Sequence, residues 1–389
     1  MLDINTDGSD LIRQMEEVRT LFSRDDTTFD ERTAGYTTYF GLVESYEFLT
    51  GHDFSDENFS SSFEEEGSDY LFQRDKKQHQ NFLNQKGFHT RLMFQTYQQA
   101  DMFLQSFYDS LYAERLQEKA ILPIDMHYED RRLLYDYFEA CAPHLQELYE
   151  EVSQRGNLYS SDFCGRSYRA GLTAFNVLRE SSNVFLPPRC DSFQQLTAAP
   201  HEFGHVYDFS DAVSKFSNQD VLSLVSSSCF SEVLSIYYEQ QFIDFYLEYG
   251  DRQDDALLAM TSLYDNRLSY MWDSFVLSSL PRDALEKIYG IPVELSRMED
   301  ELFRLGILSE EAMSYDDSDR LIDVDISTMY GYGFLISNYL LEHPDIFPKF
   351  MQLRNQEFSP EVLGDMGMTP DTLTKSLVKR SEKIFGKYL

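Results

Sequence analysis

The sequence predicts a mostly α-helical protein, and three observations predict it. Long stretches carry apolar residues at helical spacing and end at glycine or proline. Strand-like segments are confined to two short runs, and no Pro/Gly/Ser linker or internal repeat divides the 389 residues. Hydrophobic residues make up 42% of the chain, with 31 Phe and 26 Tyr, enough to fill a sizeable core, so the net charge of −34 is not a sign of disorder. That charge argues against nucleic acid and anionic membrane surfaces as partners. Cys141, Cys164, Cys190 and Cys229 lack zinc-ribbon or CxxC spacing and read as reduced thiols. The stretch from Met1 to Asp7 lacks the basic and apolar regions of a signal peptide, and no run is long enough to span a bilayer, so the expected location is the cytoplasm.

Taken in order, Asp10 to Ser23 and Phe29 to Leu49 read as helices, the second stopped by Gly51. The acidic stretch Asp53 to Asp69, with Glu64, Glu65 and Glu66, reads as a solvated loop or exposed helix end. Helices follow at Thr90 to Lys119 and at Asp130 to Arg155, the latter stopped by Gly156. Short strands fall only around Tyr168 to Thr173 and Asn183 to Leu186, before Pro187-Pro188. Helices resume at Ser192 and continue to the end, with breaks at Gly250, Pro281, Gly290, Pro344 and Pro370. Pro200 either kinks the helix begun at Asp191 and Ser192 or opens a new one, in whose first turn proline is tolerated.

The densest chemical signal is His201-Glu202-Phe203-Gly204-His205. On a helix, residues four apart share a face, so both imidazoles can bind one zinc ion while Glu202 reaches the water on it. With only 8 His in the chain, a chance match is rare. A zinc site needs a third protein ligand. The apolar pattern from about Gln219 to Tyr249 carries Glu232 between Cys229-Phe230-Ser231 and Val233-Leu234-Ser235, and a carboxylate in such company is expected to be buried and to need a cation. Ser235 and Glu239 fall three and seven residues on, at helical spacing from Glu232. Two His and one Glu leave the fourth zinc position open, the arrangement of a catalytic site.

These motifs resemble the zinc oligopeptidases of the thimet oligopeptidase and oligoendopeptidase F group. The resemblance rests on HEFGH, on Ser231 to Glu239 with its two carboxylates seven apart, on Gly165 to Gly171 followed by Asn183-Val184-Phe185-Leu186, on Met329-Tyr330-Gly331-Tyr332-Gly333-Phe334, and on Leu363 to Met368. It covers about Met126 to the C-terminus, with only helical character agreeing before that. It implies a two-lobed helical metallopeptidase with a small strand element before the metal helix: an N-terminal helical segment over residues 1–120 and a catalytic region over 121–389. It also implies one Zn2+ per chain and short or unfolded oligopeptides as substrates.

The resemblance further implies roles for individual residues. The strand Asn183, Val184, Phe185, Leu186 would lie beside the metal and offer an edge to an extended peptide. Tyr330 or Tyr332 would donate to the oxyanion, with Gly331 and Gly333 allowing close approach or a mobile loop. Independently of the resemblance, Asp208 and Glu239 are candidates to orient the imidazoles by hydrogen bonds. The chain departs from the family pattern at Asp208, where members usually carry His, and in Ser318 to Ile326, which lacks the family's His ahead of the tyrosines.

Three readings follow. The first is a zinc endopeptidase with Glu202 as general base. The second, suggested by the missing His, is a metal-retaining peptide-binding homologue with little turnover. The third is a structural zinc protein, which requires Asp208 or a Cys to close the site.

Overall fold

The computed structural model describes residues 8–54, 128–160, 171–188, 193–216, 229–250, 317–354 and 359–386, apart from a few single positions, with isolated residues at 92, 96 and between 253 and 271. It is mostly helical, with one small three-stranded sheet, and no helix among the described residues is long and apolar enough to cross a membrane. The chain forms two compact units: residues 1–74, 122–226 and 234–260 in one, and residues 75–121, 227–233 and 261–389 in the other. Each draws on chain from both sides of residue 120. The expected helix Thr90 to Lys119, the acidic stretch Asp53 to Asp69 and the breaks at Pro281 and Gly290 lie largely or wholly outside the described residues.

In the first unit, helix α1 spans Ser9–Phe22 and α2 spans Phe29–Thr50. Both ends of α2 follow from local chemistry. Thr28 accepts from the Glu31 amide at 3.2 Å while Glu31 accepts from the Thr28 amide at 2.7 Å, a reciprocal cap, and Gly51 closes the other end at φ 70°. The single helix expected over Asp130 to Arg155 is instead two, α3 (Tyr128–Cys141) and α4 (Pro143–Gln154). Pro143 explains the break: it has no amide hydrogen to donate and pushes Ala142 out of the helical region, to φ −141° and ψ 57°.

The sheet comprises β1 (Leu158–Tyr159), β2 (Leu172–Asn176) and β3 (Ser181–Phe185), in the order β1-β3-β2. The short strand β1 has no counterpart in the sequence reading. It runs parallel to β3, with Leu158 beside Val184, and β2 runs antiparallel to β3, with Leu172 opposite Phe185 and Asn176 opposite Ser181. Strand alternation then sorts β2 into two faces. Ala174 joins Tyr159 and Phe185 in a core with Leu11, Met15 and Val18 of α1 and Tyr39, Leu42 and Leu49 of α2. Asn176 donates to Gln14 at 2.8 Å, and Gln14, fully buried, donates to Asp10 and Asn183. Thr173 and Phe175 face the other way, toward the helix that follows the sheet.

That helix, α5 (Phe193–Lys215), continues through Pro200, so no new helix opens at that proline. Phe209 stacks on Phe175 with centroids 4.7 Å apart, and Phe203 meets Tyr149 of α4 at 5.0 Å. Helix α6 (Val233–Tyr249) ends where expected, with the Gly250 amide donating to Tyr246 at 2.8 Å.

In the second unit, α7 spans Asp317–Glu342. A short 3-10 turn at Pro344–Ile346 leads to α8 (Phe347–Leu353), α9 (Pro360–Asp365) and α10 (Pro370–Phe385). Proline opens the 3-10 turn and the last two helices, where an absent amide hydrogen costs nothing. Tyr264 ties α7 to α10: its ring meets Phe334 at 4.8 Å and Phe385 at 5.3 Å, and its hydroxyl donates to Asn338 at 2.9 Å.

Candidate metal centre

His201 and His205 sit one turn apart on α5, with ring centroids 5.1 Å apart and planes at 80°. Glu232 does not lie inside the partner helix. It ends the turn Cys229 to Glu232, closed by the Val233 amide donating to Phe230 at 3.1 Å, immediately before α6 begins. One nitrogen of each His and one oxygen of Glu232 all lie within 4.8 Å of one another. In a tetrahedral zinc site with bonds of about 2.1 Å, ligand atoms stand about 3.4 Å apart, so small side-chain rotations would bring these three to ligand distance. Glu202, Asp208, Glu232 and Glu239 are all 8% exposed or less, and a cation would offset the mutual repulsion of buried carboxylates. The donor set therefore fits a zinc ion. Among the described residues, no other His, Cys, Asp or Glu joins the group.

The surroundings hold the imidazoles from behind. Glu239 of α6 places Oε2 3.3 Å from His201 Nδ1, and the Thr197 hydroxyl, one turn before His201, donates to Oε1 of the same carboxylate at 3.3 Å. A carboxylate at Nδ1 keeps the proton there and leaves Nε2 as the free donor atom for a metal. Glu239 thus stands where the sequence reading expected an orienting group. Asp208 is buried on the same helix, at 5% exposure.

Gly204, inside the motif, has a use that spacing does not reveal. A Cβ built on it would stand 2.6 Å from Ser235 Cα, 2.8 Å from Leu234 O and 2.9 Å from Ser235 N. These are backbone atoms at the start of α6, so α5 and α6 touch closely where the ligands converge, and only glycine permits it. Glu202 meets the sheet instead. Its Oε2 accepts from the Thr173 hydroxyl at 2.7 Å, its backbone oxygen is 3.2 Å from the same hydroxyl, and its carboxylate lies against Gly171, where a Cβ would come within 2.8 Å of Oε1. Neither Thr173 nor Gly171 stood out in the sequence as a partner of Glu202.

The two tyrosines part company on burial. Tyr332 is 0% exposed, and burial, with the Cys229 thiol adding to it, pushes its phenol well above the ordinary value. Tyr330 is half-buried, stacked on Tyr270 at 5.0 Å and 16°, with the Arg267 guanidinium 4.3 Å over its ring. Both lie in the middle of α7, so the loop admitted by Gly331 and Gly333 is a helix. The Ser231 hydroxyl, next to Glu232, donates to Met329 sulfur at 3.3 Å and sets this stretch of α7 against the turn that carries Glu232.

The expected peptide-accepting edge at Asn183, Val184, Phe185 and Leu186 needs correction. β3 is the middle strand: the Val184 and Leu186 amides donate to Asn157 and Tyr159 on one side, and β2 pairs with it on the other. Its backbone groups are taken, and Asn183, Val184 and Phe185 are fully buried. No family model matches the chain, and neither a curated protein nor a solved structure matches it.

Proposed function

We propose that the protein is a zinc endopeptidase acting on short or unfolded oligopeptides, as the sequence resemblance implies. One observation carries the reading: His201, His205 and Glu232 converge as a three-ligand group, while Glu202, on the same helix, stays outside that group with its carboxylate held in one place. A structural zinc would need a fourth ligand, and none joins the group among the described residues. A bound zinc would supply Lewis acidity, lowering the pKa of a water and polarising the scissile carbonyl. Glu202 takes the proton of the attacking water and passes it to the leaving amine nitrogen as the C–N bond breaks. Glu239 holds His201 in the tautomer that ligates. Tyr330 is the better oxyanion donor of the two tyrosines, because a side chain with no exposed surface, like Tyr332, cannot meet a substrate. An extended peptide would add to β2, which carries Thr173 and is an outer strand of the sheet among the described residues.

The test joins elemental analysis to a quenched-fluorescence peptide assay. The expected result is one zinc per chain, cleavage of flexible peptides of roughly five to twenty residues and not of a folded protein, and a Glu202→Gln variant that keeps its zinc while losing nearly all turnover. A zinc-loaded wild type that binds peptides without cleaving them would favour the inactive peptide-binding homologue instead. A Glu202→Gln variant as active as wild type would remove the general-base assignment.

A further inference from the structure

We propose that Thr173 is a positioning residue that sets the orientation of the general base Glu202, with Gly171 providing the space for the oriented carboxylate; this rests on the peptidase reading. Glu202 has three rotatable side-chain bonds and projects from α5 toward the sheet. A base that takes a proton from a water works only within hydrogen-bond reach and in line with it. Burial alone does not select one rotamer.

The chain at β2 supplies that selection through Thr173 in the strand and Gly171 just before it, both of which lie against the Glu202 carboxylate. The Thr173 hydroxyl has a single proton, and at 2.7 Å the carboxylate oxygen Oε2 takes it in preference to the Glu202 backbone oxygen at 3.2 Å. Oε1 lies against the bare Cα of Gly171, at a distance where any Cβ would collide with Oε1 and Cγ at 2.8 Å. Anchoring Oε2 in this way fixes the direction of the whole carboxylate. The flow of protons is complete with the residues named: water gives its proton to the Glu202 carboxylate, the water oxygen bonds to the carbonyl carbon, the C–N bond breaks, and the proton passes to the amine nitrogen. Thr173 keeps its own proton throughout.

Threonine is well suited to the place. Its branched side chain is stiff in a strand, so the hydroxyl direction is set by the backbone of β2. Phe175, two residues on along the same face, stacks on Phe209 of α5 and holds strand and helix in register. The orientation of Glu202 is therefore built into the packing of β2 on α5 and does not depend on a metal.

Thr173→Val, which keeps the shape and removes the hydroxyl, should lower kcat about 10- to 100-fold with KM within about twofold and zinc content unchanged. Thr173→Ser, which keeps the hydroxyl, should stay within about threefold of wild type. A crystal structure of Thr173→Val should show the Glu202 carboxylate rotated away from its wild-type position or divided between rotamers. If Thr173→Val is too unstable to purify, Thr173→Ala carries the same comparison with Thr173→Ser. Wild-type kcat in the Val variant, or a Ser variant as impaired as Val, overturns the proposal, and so does loss of zinc on removing the hydroxyl. An inactive wild type overturns the peptidase reading, whereas an unmoved Glu202 in the Val variant overturns the positioning role whatever the activity.

Discussion

Gly204→Ala sets two effects of opposite sign against each other. In a helix interior, alanine is favoured over glycine by up to about 1 kcal/mol, so with nothing touching Gly204 the substitution would stabilise α5. The added Cβ would instead stand 2.6 Å from Ser235 Cα and under 3 Å from two further backbone atoms of α6. Carbon atoms settle at about 3.5–4.0 Å, so the helices must part by roughly 1 Å. Overpacking of this kind costs about 1–3 kcal/mol, which outweighs the helix propensity. The same displacement stretches the 3.3 Å contact from His201 to Glu239 beyond hydrogen-bond range, and a lost orienting carboxylate costs about 10- to 100-fold in metal affinity. The expected outcome is a melting temperature a few degrees lower and a zinc dissociation constant raised by that factor, read by thermal unfolding and by competition against a chromophoric chelator. A Gly204→Ala protein that melts higher than wild type and binds zinc as tightly would show that α5 and α6 do not meet as described.

Three further outcomes test other parts of the site. Glu232→Ala should abolish stoichiometric zinc, while Glu239→Ala should weaken affinity or rate by about 10- to 100-fold; elemental analysis with the reverse pattern would exchange the two roles. Tyr330→Phe should lower kcat by about 100-fold with little change in KM, and Tyr332→Phe should leave kcat nearly unchanged in steady-state assays, the opposite result placing the oxyanion donor at Tyr332. His144 of α4, 2.6 Å from the Tyr238 hydroxyl and 4.7 Å from the Tyr207 ring, has its pKa pushed below the ordinary 6.5 by burial, with Glu147 partly opposing. The unfolded chain therefore takes up this proton first. The stability His144 contributes is complete above about pH 6.5 and is lost as pH falls toward and through its lower folded value. Metal-free wild type should lose more stability than His144→Gln between about pH 8 and pH 5.5 in thermal melts, and equal losses would refute the coupling.

Local chemistry was legible from the sequence because it is written in neighbouring residues. The pairing of His201 with His205 follows from the helical repeat alone. The ends of α2 follow from Thr28, Glu31 and Gly51, and the start of α10 from Thr369 and Pro370. Glu232 was legible as a buried carboxylate by its apolar company, though the helix it was assigned to begins one residue later. Prolines were read unevenly: Pro143 divides a pattern whose periodicity is continuous, while at Pro200, where the sequence left two arrangements open, α5 continues.

Long-range pairing decided the rest. Whether β3 is an edge depends on Leu158 and Tyr159, some 25 residues upstream, and two residues are too short a strand to announce themselves. That Gly331 and Gly333 lie in a helix follows from the tertiary packing of α7, which overrides a propensity cost of about 1 kcal/mol per glycine. The sequence by itself determined which residues can carry the chemistry, since ligand type and helical spacing are local properties. Only the tertiary structure decided what holds them: Thr173 on Glu202, Glu239 on His201, and Gly204 against Ser235 each join segments 29 to 38 residues apart. Such contacts arise from how helix and strand surfaces fit together, and no pattern within either segment specifies that fit.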